Sequence, residues 1–317
     1  MFHKNIIQNT DNIHTPFNWV VADEAARLAL VPIAADLYKA LWQVDTGAVY
    51  ILTNISPIVW NEISGNANSS RETLTADRIY YVRTDGDDTN NGLTDDAAGA
   101  FLTIQAAIDA AVAIDGRVFN ITIQLRDGTY AGAVISSPFM TKGVVKILGN
   151  VTTPANVITD RIQAGNGAAL LVESLKLTSA SSFNLYVYNN GSIQFKDVQF
   201  DTATAAHMRA SAGGILQAVG NYSIVGAAPA HWQVILSGAI LVGGRTITLT
   251  GTPNFSTAFA DAAINGSMET YSNVFIGTAS GKRYNITTNG SIQTYGASTT
   301  AFPGTIAGTL ATGGVYA

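Results

Sequence analysis

Short runs of alternating apolar and polar residues dominate the chain after residue 118. Five of them have the length and composition of strands: ITIQL, VVKIL, LLVESLKL, LYVY and TITLT. One earlier segment instead has apolar residues at helical spacing: Ile104, Ala107, Ile108, Ala111 and Val112. The pattern therefore predicts a mainly β protein in which one amphipathic helix precedes a long series of strands.

A glycine opens six of the apolar runs at nearly constant spacing. The six are Gly167, Gly191, Gly214, Gly238, Gly266 and Gly290. The spacing is about two dozen residues, with one longer interval between Gly238 and Gly266, and the sequence NGSIQ occurs at two of these positions. Such a period, with two or three short strands in each repeat, predicts a parallel β-solenoid whose coils stack about 4.8 Å apart. An antiparallel sandwich is the alternative, but its turns fall about every 8–12 residues and need not repeat residue identity.

The glycines are expected at the corners between strands. A tight bend can require a positive φ, which glycine adopts at no steric cost and which asparagine tolerates. The recurrence of Asn-Gly-Ser is then explained by the recurrence of the same corner in successive coils.

The chain divides into four segments on this pattern. Residues 1–63 are predicted to hold a small α+β module, with a helix that begins after Asp23 and two strands joined by a DTG turn. Residues 64–79 are mostly polar and are predicted to be a linker. Residues 80–300 are assigned to the solenoid, and residues 301–317 to a C-terminal tail.

Composition narrows the class of protein. The 317 residues are 47% hydrophobic and 12% charged and include no cysteine, which excludes disulfides and thiolate metal sites. No apolar run has the length of a membrane span and the N-terminus has no signal-peptide core, so we expect a soluble protein made in a cytoplasm. Residues 1–139 hold 8 basic and 16 acidic residues, and residues 140–317 hold 9 and 6. These are too few cations for a nucleic-acid groove.

Residues 80–109 carry a resemblance to a known family. YYVRTDGDDTNNGLT followed by FLTIQAAID is similar to the entry segment of pectate-lyase-like right-handed β-helix proteins, which include many bacteriophage tailspikes. The resemblance implies a right-handed solenoid with a capping helix in residues 80–116. Residues 17–63 resemble N-terminal modules of phage fibre proteins, and AFPGTIAGTLATGGVYA at 301–317 resembles their C-terminal tails.

The resemblance implies a homotrimer on the surface of a virion, assembled in the host cytoplasm. Residues 1–63 would then bind other virion proteins, and residues 301–317 would form the trimer tip. Three functions stay open: a short tail fibre or tailspike that contacts host surface glycan, a polysaccharide-degrading hydrolase or lyase, and a capsid decoration or head fibre. We expect the first, without enzymatic activity, because the chain is short for a depolymerase tailspike.

The candidate catalytic residues are Glu173 and Asp197. Glycoside cleavage uses two carboxyl groups about 5–10 Å apart. These two acids are separated by one period of the repeat, a spacing that would let them lie on adjacent coils. The alternative is a scattered set of solvated acids. No nucleotide-binding or common hydrolase motif is present, and no cofactor is expected.

The candidate glycan-binding residues are His207, His231 and Trp232. The two histidines are one period apart, and each stands at the same distance before its corner glycine. Phe259 and Arg283 occupy the same position in later coils. Such a stripe could face a sugar. The alternatives are a stacking ladder that stabilises the coils, or part of a trimer interface.

The candidate metal ligands are Asp85, Asp87 and Asp88, in the loop DGDDTNNG. Their carboxylates are oxygen ligands suited to Ca²⁺, although the loop lacks the closing glutamate of an EF-hand. The alternative is that Asx-turns account for the composition without an ion.

Overall fold

A computed structural model describes residues 17–63 and 71–317, which form two compact units divided between Arg71 and Glu72. The predictions for residues 1–16, and for the linker over residues 64–70, lie outside the described residues. In the described part, no helix is long and apolar enough to cross a membrane.

The first unit is a four-stranded sheet with one short helix. The strand order is Trp19–Val21, Ala40–Gln43, Val49–Ile55 and Ile58–Glu62. The first pair is parallel and the other two pairs are antiparallel. The other elements are the α-helix Glu24–Leu28 and the 3-10 helix Ala34–Asp36. Asp23 caps the helix as predicted, because its side chain accepts a hydrogen bond from Ala26 N at 2.8 Å.

The second unit is built from three parallel sheets. Sheet 1 contains Arg78–Val82, Ile121–Leu125, Val145–Leu148, Ala169–Glu173, Ser192–Lys196, Ile215–Ala218, Ala239–Gly243, Ser267–Tyr271, Ser291–Gln293 and Val315–Tyr316. Sheet 2 contains Gly128–Tyr130, Val157–Thr159, Lys176–Ser179, Gln199–Ala203, Tyr222–Ile224, Thr246–Leu249 and Val274–Ile276. Sheet 3 contains Ala133–Ile135, Ile162–Ala164, Leu185–Val187, Ala206–Ala210, Ala228–Val234, Asn254–Ala262, Ser280–Gly281, Tyr284–Ile286 and Thr309–Leu310.

These sheets form a β-solenoid, as the repeat predicts. The chain passes from sheet 1 to sheet 2 to sheet 3 and returns to sheet 1 one strand further along. Every pairing within the three sheets is parallel, so the antiparallel sandwich is excluded for this unit. Three smaller elements accompany it: the pair Asp115–Arg117 and Met140–Thr141, and the 3-10 helix Pro154–Asn156.

Aromatic rings fill the middle of the solenoid. Phe195 and Phe200 pack edge to face at 5.6 Å between ring centroids, and Phe255 meets Phe259 in the same way at 5.3 Å. All four side chains are fully buried. Each such ring contributes about 1.5–3 kcal/mol through the apolar surface it removes from water.

The corner between sheet 3 and sheet 1 is a recurring type I′ turn. At the NGSIQ motif, Asn189 and Asn190 have φ of 44° and 61°, and Gly191 N donates to Tyr188 O at 2.8 Å. The expected reason for the glycine holds at Gly167, whose φ is 80°, but is wrong at Gly191, which is not among the residues with positive φ. A Cβ at Gly191 would instead lie 2.3 Å from Ala164 O in the preceding coil.

The same position recurs through seven coils. Parallel register aligns Ala168, Gly191, Gly214, Gly238, Gly266, Gly290 and Gly314. Gly167 lies one residue before this position, so the first glycine of the predicted series is out of register by one. At the six glycines of this set an added Cβ would lie within 3 Å of the backbone of the preceding coil, so close approach of successive backbones selects glycine there.

The amphipathic helix is Ile104–Ala113, with Thr103 as its N-cap. Its apolar face is buried as predicted, and it contacts the strands Arg78–Val82, Ile121–Leu125 and Ala133–Ile135. These are the first strands of sheets 1 and 3.

Residues 301–317 continue the solenoid and do not form a separate tail. Thr309–Leu310 pairs with Tyr284–Ile286 in sheet 3, and Val315–Tyr316 pairs with Ser291–Gln293 in sheet 1. Phe302 is 3% exposed, and its ring centroid lies 5.8 Å from that of Trp232. The solenoid therefore extends past residue 300.

Candidate functional site

Glu173, the first candidate acid, lies between two lysines at the end of a sheet 1 strand. Its Oε1 is 3.1 Å from Lys196 Nζ. Its Oε2 is 3.3 Å from Lys146 Nζ, close enough for charge attraction but not aligned for a hydrogen bond. Glu173 is only 8% exposed. The contacts give this carboxylate a structural partner on each side.

The predicted stacking of Glu173 with Asp197 is wrong. The register of the two strands places Lys196 opposite Glu173, because this coil is shorter than the usual period by one residue. Asp197 is exposed and has a φ of 54°, a backbone conformation that aspartate tolerates better than most residues. Its N–H donates to Asn221 O at 2.8 Å, so Asp197 is a corner residue between sheets 1 and 2.

His207, His231 and Trp232 do not face a ligand from outside. All three have no exposed surface. The two His Nδ1 atoms are 2.9 Å apart, and Trp232 Nε1 donates to Tyr222 Oη at 3.1 Å. Tyr222 Oη is also 3.0 Å from His231 Nε2. The glycan-binding prediction for these residues is therefore wrong, and the alternative of a stacking ladder is confirmed.

The network has one proton arrangement that suits most of its atoms. Tyr222 O–H donates to His231 Nε2 and His231 Nδ1–H donates to His207 Nδ1, which leaves the proton of His207 on Nε2, a buried atom without a hydrogen-bond partner among the described residues. Burial lowers the pKa of His207 to about 3 and, with the neighbouring ring of His207, holds the pKa of His231 well below its usual value. Burial also raises the pKa of Tyr222. The cluster is a neutral hydrogen-bonded core.

The three candidate metal ligands are occupied by protein groups. Asp88 accepts from Thr103 N and Thr103 Oγ1, both at 2.8 Å, at the start of the helix Ile104–Ala113. Asp87 accepts from Thr89 N at 2.8 Å, which is the Asx-turn expected as the alternative. Asp85 pairs with Arg83 at 2.8 Å, and that contact lowers its pKa. No group of three or more His, Asp or Glu side chains converges among the described residues.

A cleft of about 120 Å³ opens on the outer face of sheet 1. The residues that line it and carry its chemistry are Gln217, Leu241, Gly243, Arg245, Glu269 and Tyr271. Gly243 lies opposite Tyr271 in the sheet. A Cβ at Gly243 would be 2.4 Å from the Tyr271 ring, so the absence of a side chain lets the ring lie against the backbone.

Two exposed tyrosines one coil apart contact each other here: Tyr271 lines the cleft, and Tyr295 packs against Tyr271. Tyr271 is 46% exposed and Tyr295 is 62% exposed. Their ring centroids are 5.5 Å apart and the rings are nearly perpendicular. Exposed aromatic rings so close together present apolar faces to solvent beside polar edges.

Polar groups complete the cleft. Tyr295 Oη donates to Glu269 Oε1 at 3.0 Å, and this bond raises the pKa of Tyr295. Arg245 Nε donates to Ala218 O at 3.2 Å, which fixes the guanidinium. Gln217 adds an amide. A carboxylate, a guanidinium and an amide beside aromatic faces match the hydroxyl groups and apolar C–H faces of a sugar ring.

The sequence holds a signal for this cleft, although none of the residues that line it was predicted as a site residue. Tyr271 and Tyr295 are separated by one period of the repeat. Gly243 could not be assigned from spacing, because the coil between it and Tyr271 is longer than the usual period. The pairing of Gly243 with Tyr271, and with it the cleft, could therefore be recognised only from the register of the strands.

Comparison of the chain with models of protein families, with curated proteins and with solved structures finds no match.

Proposed function

We propose that this protein is a non-enzymatic appendage on the surface of a bacteriophage virion, and that the outer face of its solenoid contacts host glycan. The observation that carries the proposal is the cleft lined by Tyr271, Glu269 and Arg245, with the exposed ring of Tyr295 packed against Tyr271. Glu269 is hydrogen-bonded to Tyr295, and the guanidinium of Arg245 brings a charge of the opposite sign to the same cleft. The cleft therefore suits a sugar without net charge.

A binding function without cleavage fits the acids of the solenoid. Glu173 lies between two lysines, and the predicted partner Asp197 is out of register with it. Asp201 is 3.7 Å from Lys176 Nζ. Hydrolysis needs one carboxyl group that donates a proton and another that activates water or attacks. Glu173 and Asp201 are instead held by cations.

The division of the chain into two compact units supports a protein in which one unit attaches to the virion and the other recognises glycan. In this proposal residues 1–63 bind other virion proteins, and three copies associate along or at the end of the solenoid. A trimer would present three weak sugar sites together, which raises the strength of attachment to a polysaccharide with many repeats.

Two finer features of the fold belong to the same proposal. A right-handed coil follows from the strong preference for right-handed crossovers between parallel strands. The helix Ile104–Ala113 would cover the first coil, where an open sheet edge could otherwise pair with another chain. Its contacts with the first strands of sheets 1 and 3 support that role.

A glycan array probed with the full chain tests the binding function. We expect binding to neutral oligosaccharides and a loss of about tenfold in Tyr271→Ala, the size expected when one aromatic stacking contact is removed. Tyr38→Asn is the control, because Tyr38 is also exposed and Asn tolerates its φ of 65°. Absence of neutral sugar binding, or equal binding by Tyr271→Ala, would overturn the proposal.

Immunogold labelling of phage particles separates the tail from the head. Antibody against residues 140–317 should place gold at the tail. Gold over the whole head would instead make the protein a capsid decoration. Release of reducing ends from host polysaccharide would make it a depolymerase.

A further inference from the structure

A second exposed aromatic group lies on the outer face of sheet 3. Phe183, Tyr186 and Tyr188 are each partly exposed. The ring centroids of Phe183 and Tyr186 are 5.2 Å apart, and those of Tyr186 and Tyr188 are 5.4 Å apart with 26° between the planes. We call these three residues the aromatic shelf.

The shelf is held in place before any ligand binds. A Cβ at Gly165 would be 2.3 Å from the Tyr188 ring, so this ring rests on the backbone of the preceding coil. Tyr186 Oη is 3.3 Å from Ser211 Oγ. Little side-chain freedom is then lost on binding.

Arg209 lies next to the shelf without an acidic partner. It is opposite Tyr186 in the sheet, and its guanidinium carbon is 4.9 Å from the Phe183 ring centroid and 5.9 Å from that of Tyr186. Within residues 17–63 and 71–317 it forms no ion pair, and its buried Nε has no hydrogen-bond partner. This cation is stacked but not neutralised.

The nearest acid in the same row of sheet 3 is already occupied. Asp261 lies two strands from Arg209, about 10 Å away at the spacing of parallel strands. It accepts from Gln233 Nε2 at 3.0 Å and from Asn285 Nδ2 at 2.8 Å, and it is only 8% exposed. These bonds occupy both oxygens of Asp261, and the amide of Gln233 lies between this carboxylate and Arg209.

We propose that the aromatic shelf and Arg209 bind a sugar ring that carries a carboxylate, such as a uronic acid. The apolar C–H face of the ring would stack on Tyr186 and Tyr188, and the carboxylate would pair with the guanidinium. The site is on a different sheet from the cleft at Tyr271 and prefers an anionic sugar where the cleft prefers a neutral one, so the two sites can be tested independently.

The chemistry of the site favours a carboxylate over other anions. A guanidinium is a planar fork that matches a planar carboxylate with two parallel hydrogen bonds. The row Gln163, Tyr186, Arg209, Gln233 and Asp261 holds one cation. A nucleic acid or another polyphosphate would need several cations along its backbone.

Titration of the full chain with a glucuronic acid oligosaccharide tests the proposal, with a neutral glucose oligosaccharide of equal length as the comparison. We expect the acidic ligand to bind the wild type more tightly, with an affinity that falls as salt rises. Arg209→Gln should lose about tenfold in affinity for the acidic ligand and none for the neutral one. Lys142→Gln, which removes an exposed cation that belongs to neither sugar site, should keep full affinity for the acidic ligand.

Three outcomes would overturn the proposal. The Tyr271→Ala protein, in which the neutral-sugar cleft is weakened, could bind the acidic and neutral ligands equally. Arg209→Gln could keep its affinity for the acidic ligand. A sulfated oligosaccharide could bind as well as the carboxylate in both the wild type and Arg209→Lys, which would show that the site responds to charge alone. Loss of neutral binding in Tyr271→Ala would leave this site unaffected.

Discussion

His207 Nδ1 lies 2.9 Å from His231 Nδ1 inside the solenoid, and neither ring has exposed surface. The two rings occupy equivalent positions in adjacent coils, followed in the next coil by Phe259. Residues that spacing alone presented as a ligand-facing stripe are therefore a hydrogen-bonded part of the core.

Acid should destabilise the fold through these two histidines. The folded pKa of His207 is about 3 and that of His231 is also well below the unfolded value of about 6.5. Above that value both states are neutral, so the pair has no effect. As the pH falls below it, the unfolded chain takes up two protons that the folded chain does not. The free energy of unfolding should fall by up to about 2.7 kcal/mol per pH unit.

Denaturant unfolding between pH 8 and pH 5 measures this slope. The control is the double variant His207→Phe and His231→Phe, which places in both coils the side chain found at Phe259. The slope should nearly vanish in the variant across this window, where aspartate and glutamate are mostly ionised. Equal slopes in the two proteins would contradict the assignment of a neutral histidine pair.

The period of the repeat was readable from sequence, but the direction of each side chain was not. The corner glycines predicted the solenoid and its register to within one residue. At Glu173 a difference of one residue in register replaced the predicted neighbour, because Lys196 and not Asp197 lies opposite Glu173. At His231 and Trp232, strict alternation would bury only one of two neighbours, yet both are buried.

Glycine at the recurring corner should matter through contact and not through φ. In Gly238→Ala the new Cβ would lie 2.3 Å from Ala210 O, an atom of the preceding coil, and we expect a loss of about 2 kcal/mol or more. Gly244→Ala is the control, because Gly244 has a φ of 66° but nothing within 4 Å of the added Cβ. That change should cost about 1 kcal/mol. Chemical denaturation compares the two, and a reversed order would contradict the turn geometry.

Asp88 should act as a helix anchor and not as a calcium ligand. Asp88→Ala removes the acceptor for Leu102 N and Thr103 N and should cost about 1–2 kcal/mol. Asp85→Asn should change stability little, since Asp85 is paired only at the surface with Arg83. Thermal unfolding in EDTA and in excess CaCl₂ should give the same midpoint for the wild type. A midpoint that rises with calcium and no longer does so in Asp88→Ala would show a metal site.

Glu173 should stabilise the solenoid without contributing to ligand binding. Glu173→Gln leaves the ammonium groups of Lys146 and Lys196 without their shared carboxylate. We expect a loss of about 1–2 kcal/mol, between the values for exposed and buried ion pairs. Denaturant unfolding and the glycan array measure the two effects separately. A large drop in sugar binding with unchanged stability would return Glu173 to the candidate site residues.

Competition for phage adsorption tests the central proposal most directly. Host cells are incubated with the purified full chain before phage is added, and unadsorbed particles are counted. We expect the wild-type protein to reduce adsorption in a dose-dependent way and Tyr271→Ala, folded to the same extent, to reduce it far less. No competition by the wild type, or equal competition by Tyr271→Ala, would contradict host-glycan contact through the cleft.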